Sequence, residues 1–196
     1  MSRKCEVKRK TGETEICVCL DIDGSGNYNV DTPIGFFNHM LESFARHGSI
    51  DLEIRARGDV EVDQHHLVED CGLVLGEVFD RILGDRQGIM RAGFFIYPMD
   101  EALAVTAVDF GGRPYLQYEA SFGRQYCGGM DLGLLEDFFQ AFTVQARANI
   151  AVRIPYGRSD HHKAEAAFKS LARAIRSACE IDSRNSSVIP STKGVI

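Results

Sequence analysis

No apolar run in the 196 residues approaches the roughly 20 that a membrane-crossing helix needs. The opening stretch, MSRKCEVKRKTGETEI, lacks the apolar segment of an export signal. Membrane insertion and export are therefore disfavoured, and a cytoplasmic protein is expected. Positive charge is also in deficit. Twenty-two Lys and Arg against 28 Asp and Glu leave a net charge of −6, so nucleic acid is not an expected partner. Single basic residues can still meet a small anion. No C-x-x-C pair occurs among Cys5, Cys17, Cys19, Cys71, Cys127 and Cys179. They are expected to be reduced packing residues rather than a disulfide frame or a thiolate metal site. A glycine-rich phosphate loop of the Walker or Rossmann type is missing too, which disfavours ATP and dinucleotides.

What remains is a globular composition, 44% hydrophobic and 26% charged, sized for one domain or two small lobes sharing a core. One pattern stands out because it is written twice. Residues 65–69 read His-His-Leu-Val-Glu and residues 161–165 read His-His-Lys-Ala-Glu; together they hold four of the six histidines. On a helix, residues i and i+4 share a face, so His65 can point with Glu69 and His161 with Glu165. His66 and His162 turn about 100° away and must look elsewhere. A single surface His-His pair is usually incidental. Two copies, each with its carboxylate, point to metal binding.

Taken in order, residues 5–11 and 14–22 read as strands, the second alternating through Ile16, Val18, Leu20 and Ile22. Gly12 marks the bend, and Glu13 beside it reads as a solvated charge. In TPIGFFNHMLESFARHG, the residues Phe36, Phe37, Met40, Leu41, Phe44 and Ala45 recur at helical spacing, with Gly48 as the expected C-terminal cap. His39 lies beside that stripe, and His47 reads as structural. Ile50, Leu52 and Ile54 predict a strand, continued through Val60 and Val62. A helix from about Gln64 to Leu83 carries the first tetrad. Strands follow at 91–97, 102–109 and 115–121, with turns at 98–101 and 111–114. A helix at 134–148, a strand through Ile150, Val152 and Ile154, and a helix from Ser159 or Asp160 to Cys179 complete the pattern. The polar, Pro- and Gly-containing tail, 183–196, is expected to be flexible.

The repeat extends beyond the tetrads. Helix, strand and helix over 36–83 are matched by helix, strand and helix over 134–179 in the same apolar phase. This is duplication within one domain, with halves at about 1–90 and 91–185. It makes His39 and Asp137 counterparts and raises both as ligand candidates. The expected fold class is α+β, internally duplicated, with sheets backed by helices. A pseudo-twofold arrangement divides the donors into His39, His66, His161 and Glu165 on one metal and His65, Glu69, His162 and Asp137 on the other. Imidazole and carboxylate donors with open positions suit a catalytic Mn(II) first and Zn second. Arg91, Arg113, Lys169 and Lys193 are separately basic. Arg113 in Gly-Gly-Arg-Pro and Lys193 in Ser-Thr-Lys-Gly are the best of them for an anion such as phosphate.

The stretches GFFNHMLESFARHG, DQHHLVEDCGLVLG, YPMDEALAVTAVDFGGRPY, SDHHKAEAAFKSLARAI and PSTKGVI, in this order along nearly the whole chain, resemble the imidazoleglycerol-phosphate dehydratase family in its monofunctional form. The resemblance implies a duplicated fold of the ribosomal protein S5 domain 2-like class. It also implies two Mn(II) ions per active site and a homo-oligomeric cage of twenty-four subunits built from trimers, with sites shared between subunits. It implies further that His39, His65, His66, Glu69, His161, His162 and Glu165 are ligands. Arg91, Arg113, Lys169, Ser191 and Lys193 fall on phosphate-contact positions, and Glu13 on the catalytic acid/base position. The chain departs from the family where Asp137 replaces a common histidine, which makes that site harder. Asn38 and Gln64 replace aspartates beside the ligands, which is expected to alter the hydrogen bonds supporting them. Ala92 follows Arg91 where an aromatic is common.

The implied reaction removes water from imidazole glycerol phosphate to give imidazole acetol phosphate in histidine biosynthesis. It runs through a metal-stabilised imidazolate and a diazafulvene, with Glu13 taking the C2 proton. Two rival readings of the same residues are a dinuclear metallohydrolase acting on a phosphorylated small molecule and a metal-binding structural cage.

Overall fold

A computed structural model describes the chain from residue 3 to residue 196. Strands β1 (Lys4–Lys10) and β2 (Thr14–Asp21) form an antiparallel hairpin. Its bend is tied by the Thr11 hydroxyl, which accepts the backbone N–H groups of Glu13 and Thr14. The alternation of Ile16, Val18 and Leu20 buries one face of β2 completely. A short strand, β3 (Tyr28–Asp31), lies parallel to β4 (Asp51–Gly58), giving the sheet order β1-β2-β4-β3. The second half repeats this plan. Strands β5 (Ala92–Met99), β6 (Ala102–Asp109), β7 (Tyr115–Glu119) and β10 (Asn149–Tyr156) form a sheet of order β5-β6-β10-β7, with β7 again the parallel edge. A small hairpin of β8 (Tyr126–Cys127) and β9 (Met130–Asp131) is inserted before the helix of this half.

Four helices fill the space between the sheets: α1 (Gly35–Gly48), α2 (His65–Leu83), α3 (Leu134–Gln145) and α4 (Asp160–Cys179). They pack crosswise between the halves, α1 against α4 and α2 against α3. The seam is aromatic. Phe37 meets Phe138 edge-on, Phe79 meets Phe142 edge-on, and Phe138 stacks on Phe168, with ring centroids 5.5, 5.6 and 5.3 Å apart. Gly72 and Gly76 allow α2 to lie directly on α3. A Cβ at either would come within 2.6 Å of the Phe138 carbonyl or 2.5 Å of the Phe142 carbonyl, respectively.

The duplicated α+β class expected from the sequence is the one observed, and several local expectations are revised. Val60 and Val62 do not continue β4; residues 59–63 form a turn, because Val62 and Asp63 return their N–H groups to the Asp59 carbonyl. The turn predicted at 98–101 narrows to Asp100-Glu101, since Pro98 and Met99 still pair with β6. Helix α3 ends at Gln145, three residues early, as Ala148 N–H turns back to Thr143. Gly48 belongs to α1, and Ser49 takes the left-handed capping conformation at φ 55°. Ser159 rather than Asp160 caps α4, accepting the His162 N–H. Strands β3, β8 and β9 had no counterpart in the sequence reading. The tail has no helix or strand, but its first part is held: Gly88 N–H donates to Val188 and the Arg91 guanidinium to Pro190. From Ser191 onward the backbone hydrogen bonds are local turns. Among the described residues no helix is long and apolar enough to cross a membrane, and all six cysteines are free thiols.

Candidate metal and substrate site

The crosswise helix packing places the two tetrads at equivalent positions. Each begins a helix, where the polar first turn emerges from the core while the apolar residues behind it stay buried. On α4, Glu165 Oε2 lies 3.1 Å from His161 Nε2 and 3.4 Å from His39 Nε2, which α1 brings in from the other half. One donor atom from each of these three residues falls within 4.8 Å of the others. On α2, His65 Nε2 lies 3.8 Å from Glu69 Oε2, while its Nδ1 lies 3.5 Å from Asp137 Oδ2, which α3 brings in. His39 and Asp137, paired by the sequence repeat, thus take matching places.

The surroundings of the two clusters differ. The Glu165 side chain is only 8% exposed and also receives Lys169 Nζ at 2.8 Å, whereas Glu69 and Asp137 are half exposed. Burial opposes ionisation of Glu165, but the Lys169 hydrogen bond and charge, with His39, outweigh it and hold the carboxyl below its usual range. His161 is fixed edge-on to Phe36 at 5.2 Å between ring centroids. At the Glu165 cluster the donor chemistry fits a divalent ion: imidazole nitrogens and a carboxylate oxygen converge without thiolate. Around His65 the same donor types gather, with Glu69 and Asp137 on different nitrogens of the ring. One cluster has two imidazoles and one carboxylate; the other has one imidazole and two carboxylates.

His66 and His162 do not join these clusters. The 100° step along the helix turns them outward, so the chain alone gathers three of each proposed set of four. Each is held by a carboxylate. His66 Nδ1 is 3.1 and 3.2 Å from the two Asp59 oxygens and 3.9 Å from Glu13; the Asp59 hydrogen bond raises the basicity of the ring. His162 Nδ1 is 2.9 Å from Glu101 Oε2. That contact, with the Ser159 N–H on Oε1, brings Glu101 down to about 2. Sequence reading passes over Asp59 and Glu101, because Asp59 reaches His66 across a turn with no periodic spacing and Glu101 lies far along the chain from His162. Glu13, left by pattern as a loop charge, stands at the edge of the His66 group with 59% of its side chain exposed.

Of the basic candidates, Arg91, Arg113, Ser191 and Lys193 line one open cleft of about 370 Å³ with the Gly111-Gly112 turn. Arg91 is already engaged, giving two N–H groups to Asp109 at 2.6 and 2.9 Å, and so holds the wall of the cleft. Lys169 lies outside that lining, on Glu165 and over the Tyr97 ring. His47, read as structural, packs on the same Tyr97 ring, and burial lowers its basicity. Asn38 and Gln64 do not support the histidines. Asn38 ties Thr32 at the start of α1, and Gln64 bridges Gly129 and Asp131 of the β8-β9 hairpin.

Fold and clusters together define a duplicated α+β enzyme with paired imidazole–carboxylate centres. The family model described as imidazoleglycerol-phosphate dehydratase matches residues 32–175. An imidazoleglycerol-phosphate dehydratase of Koribacter versatilis is 48% identical over 194 residues, covering 99% of this chain and all of that one. One of Acidiphilium cryptum is 48% identical over 196 residues, covering both chains fully. The crystal structure of the Staphylococcus aureus dehydratase superposes with a TM-score of 0.83 at 34% identity, covering 91% of this chain and 99% of that one. The Pyrococcus furiosus dehydratase in complex with (S)-C348 does so at 0.83 and 33%, covering 97% and 100%. The chain belongs to the imidazoleglycerol-phosphate dehydratase family and is a dehydratase, a hydro-lyase by class.

Proposed function

We propose that this chain removes water from imidazole glycerol phosphate to give imidazole acetol phosphate in histidine biosynthesis, as a cytoplasmic, Mn(II)-dependent homo-oligomer. The observation that carries the reading is the convergent His39–His161–Glu165 cluster, with His65, Glu69 and Asp137 at the repeat-related place, in a chain of this family that also builds a basic cleft.

His39, His161 and Glu165 would hold one ion, and His65, Glu69 and Asp137 the other. His66 and His162, on the same helices but facing outward, would complete the sites of neighbouring copies, giving two Mn(II) per active site. Assembly into twenty-four subunits built from trimers is in keeping with an apolar strip left open on the outer face of β5, where Phe94 is 72% and Ile96 53% exposed. The whole chain, 1–196, acts as one catalytic domain of two halves. When bound, the ion pair supplies Lewis acidity to the ring nitrogens of the substrate.

The chain's own groups do the rest. Arg113, Ser191 and Lys193 bind the phosphate, with Arg91 shaping the cleft and Lys169 reaching from beside Glu165. The ring N–H proton and the C3 hydroxyl leave as water, through a diazafulvene form of the substrate. Glu13, exposed and not hydrogen-bonded to a histidine, takes the C2 proton, which returns to a ring nitrogen. The resulting enol becomes the ketone by moving a proton from the C2 oxygen to C3. The test is a direct assay for the ketone with purified protein and Mn(II). Ketone formation that stops with chelator and resumes with Mn(II) is expected. Phosphate release without ketone would instead identify a phosphohydrolase.

A further inference from the structure

The two halves place a glutamate at the same point of their first hairpin. Glu13 immediately precedes Thr14, the first residue of β2; Glu101 immediately precedes Ala102, the first residue of β6. Each hairpin end faces the second histidine of its own half, His66 or His162. Yet the two glutamates are used differently. Glu101 Oε2 is hydrogen-bonded to His162 Nδ1 at 2.9 Å, while its Oε1 accepts the Ser159 N–H at 2.7 Å. Glu13 stands 3.9 Å from His66 Nδ1, beyond a hydrogen bond. The reason lies at the end of the strand that pairs with β2 or β6, β4 in one half and β10 in the other. After β4 comes Asp59, which takes His66 Nδ1 at 3.1 Å. Gly157, just past β10, matches Gly58 at the end of β4: a Cβ on Gly157 would meet Ala102, and one on Gly58 would meet Thr14. The residue matching Asp59 is therefore Arg158, a cation, so no second carboxylate comes from that strand end; Asp100, beside Glu101, stays 3.9 Å from His162 Nδ1.

We infer that duplication has divided two equivalent glutamates into different roles: Glu101 is a positioning residue that fixes the orientation and tautomer of His162, while Asp59 does this for His66 and so leaves Glu13 free to carry protons. A carboxylate on Nδ1 keeps the proton there and presents the lone pair of Nε2 outward. His66 and His162 thus offer the same nitrogen to a metal, through carboxylates that come from different places in the chain. The inference rests on the reading of these two histidines as metal ligands.

The experiment measures Mn(II) dissociation constants of the purified full-length protein by competition with a chromogenic chelator, beside the melting temperature of the metal-free protein. In Glu101→Gln, the amide oxygen can still accept the Ser159 N–H, which turns the N–H₂ group toward Nδ1 and favours the tautomer protonated at Nε2. The expected result is Mn(II) binding weakened about 10- to 100-fold, with the metal-free protein melting as the wild type does. Asp59→Asn should weaken binding similarly. Glu13→Gln should keep wild-type affinity and lose ketone formation. Wild-type affinity in Glu101→Gln overturns the inference while leaving the metal reading intact. So does equal weakening by Glu13→Gln, or a loss of affinity matched by a lowered metal-free melting temperature. A wild-type protein that binds no Mn(II) overturns both.

Discussion

At the scale of single residues, function depends on which nitrogen and which oxygen face which way. His161 and Glu165 share a face because they are one helical turn apart, and that spacing is visible in the chain. His161→Ala should remove a donor that cannot be replaced locally, since His39 and Glu165 alone leave the cluster one imidazole short. Elemental analysis of the purified variant should show less Mn(II) per subunit than wild type; an unchanged content would refute the ligand assignment. Asp137 gives the second cluster two carboxylates to one imidazole. Asp137→His should raise the preference for Zn over Mn(II), because imidazole suits the softer ion. Parallel titrations with the two metals would show it, and an unaltered ratio would mean that Asp137 does not ligate. The residues harder to foresee are Asp59 and Glu101. Their partners are fixed where strand ends meet a helix, so no periodic pattern marks them.

At the scale of elements, the centres exist because α1 crosses to α4 and α2 to α3. Residues on one helix fix two of the three members of each cluster; the crossing supplies His39 or Asp137. The α2–α3 crossing depends on Gly72, whose missing side chain lets the Phe138 carbonyl come close. Gly72→Ala should force the helices apart and destabilise the fold by roughly 1–3 kcal/mol, as overpacking of a tight contact does. The same shift should move Asp137 away from His65 and lower Mn(II) content. Denaturant unfolding measures the first and elemental analysis the second; a wild-type unfolding midpoint would show that the helices tolerate the methyl group. The long elements were legible because their apolar residues repeat with helical or strand period, as in Phe37, Met40, Leu41 and Phe44 of α1. The short ones, β3, β8 and β9, were not. With two to four residues each, they carry too few alternations, and pairing across space defines them.

For the molecule as a whole, the outward pair of His66 and His162 and the open apolar strip on β5 argue together. On the proposed reading His66 and His162, turned away from their own clusters, need a neighbour, and the sheet face bearing Phe94 and Ile96 supplies an apolar surface to meet one. Phe94→Glu should therefore yield smaller species in light scattering than the wild type, with ketone formation falling in step as shared sites come apart. A full-sized assembly with normal turnover would show that this face is not an interface.

The sequence by itself determined the duplicated helices and strands, the i, i+4 partnership inside each tetrad and the chemical kind of each donor, because these follow from local periodicity and side-chain chemistry. Tertiary structure decided which half lends His39 or Asp137 to which tetrad. It also decided that Asp59 holds His66 where Glu101 holds His162. Those pairings depend on crossing helices and on strand ends that meet only after folding, and no periodic spacing along the chain carries a trace of them.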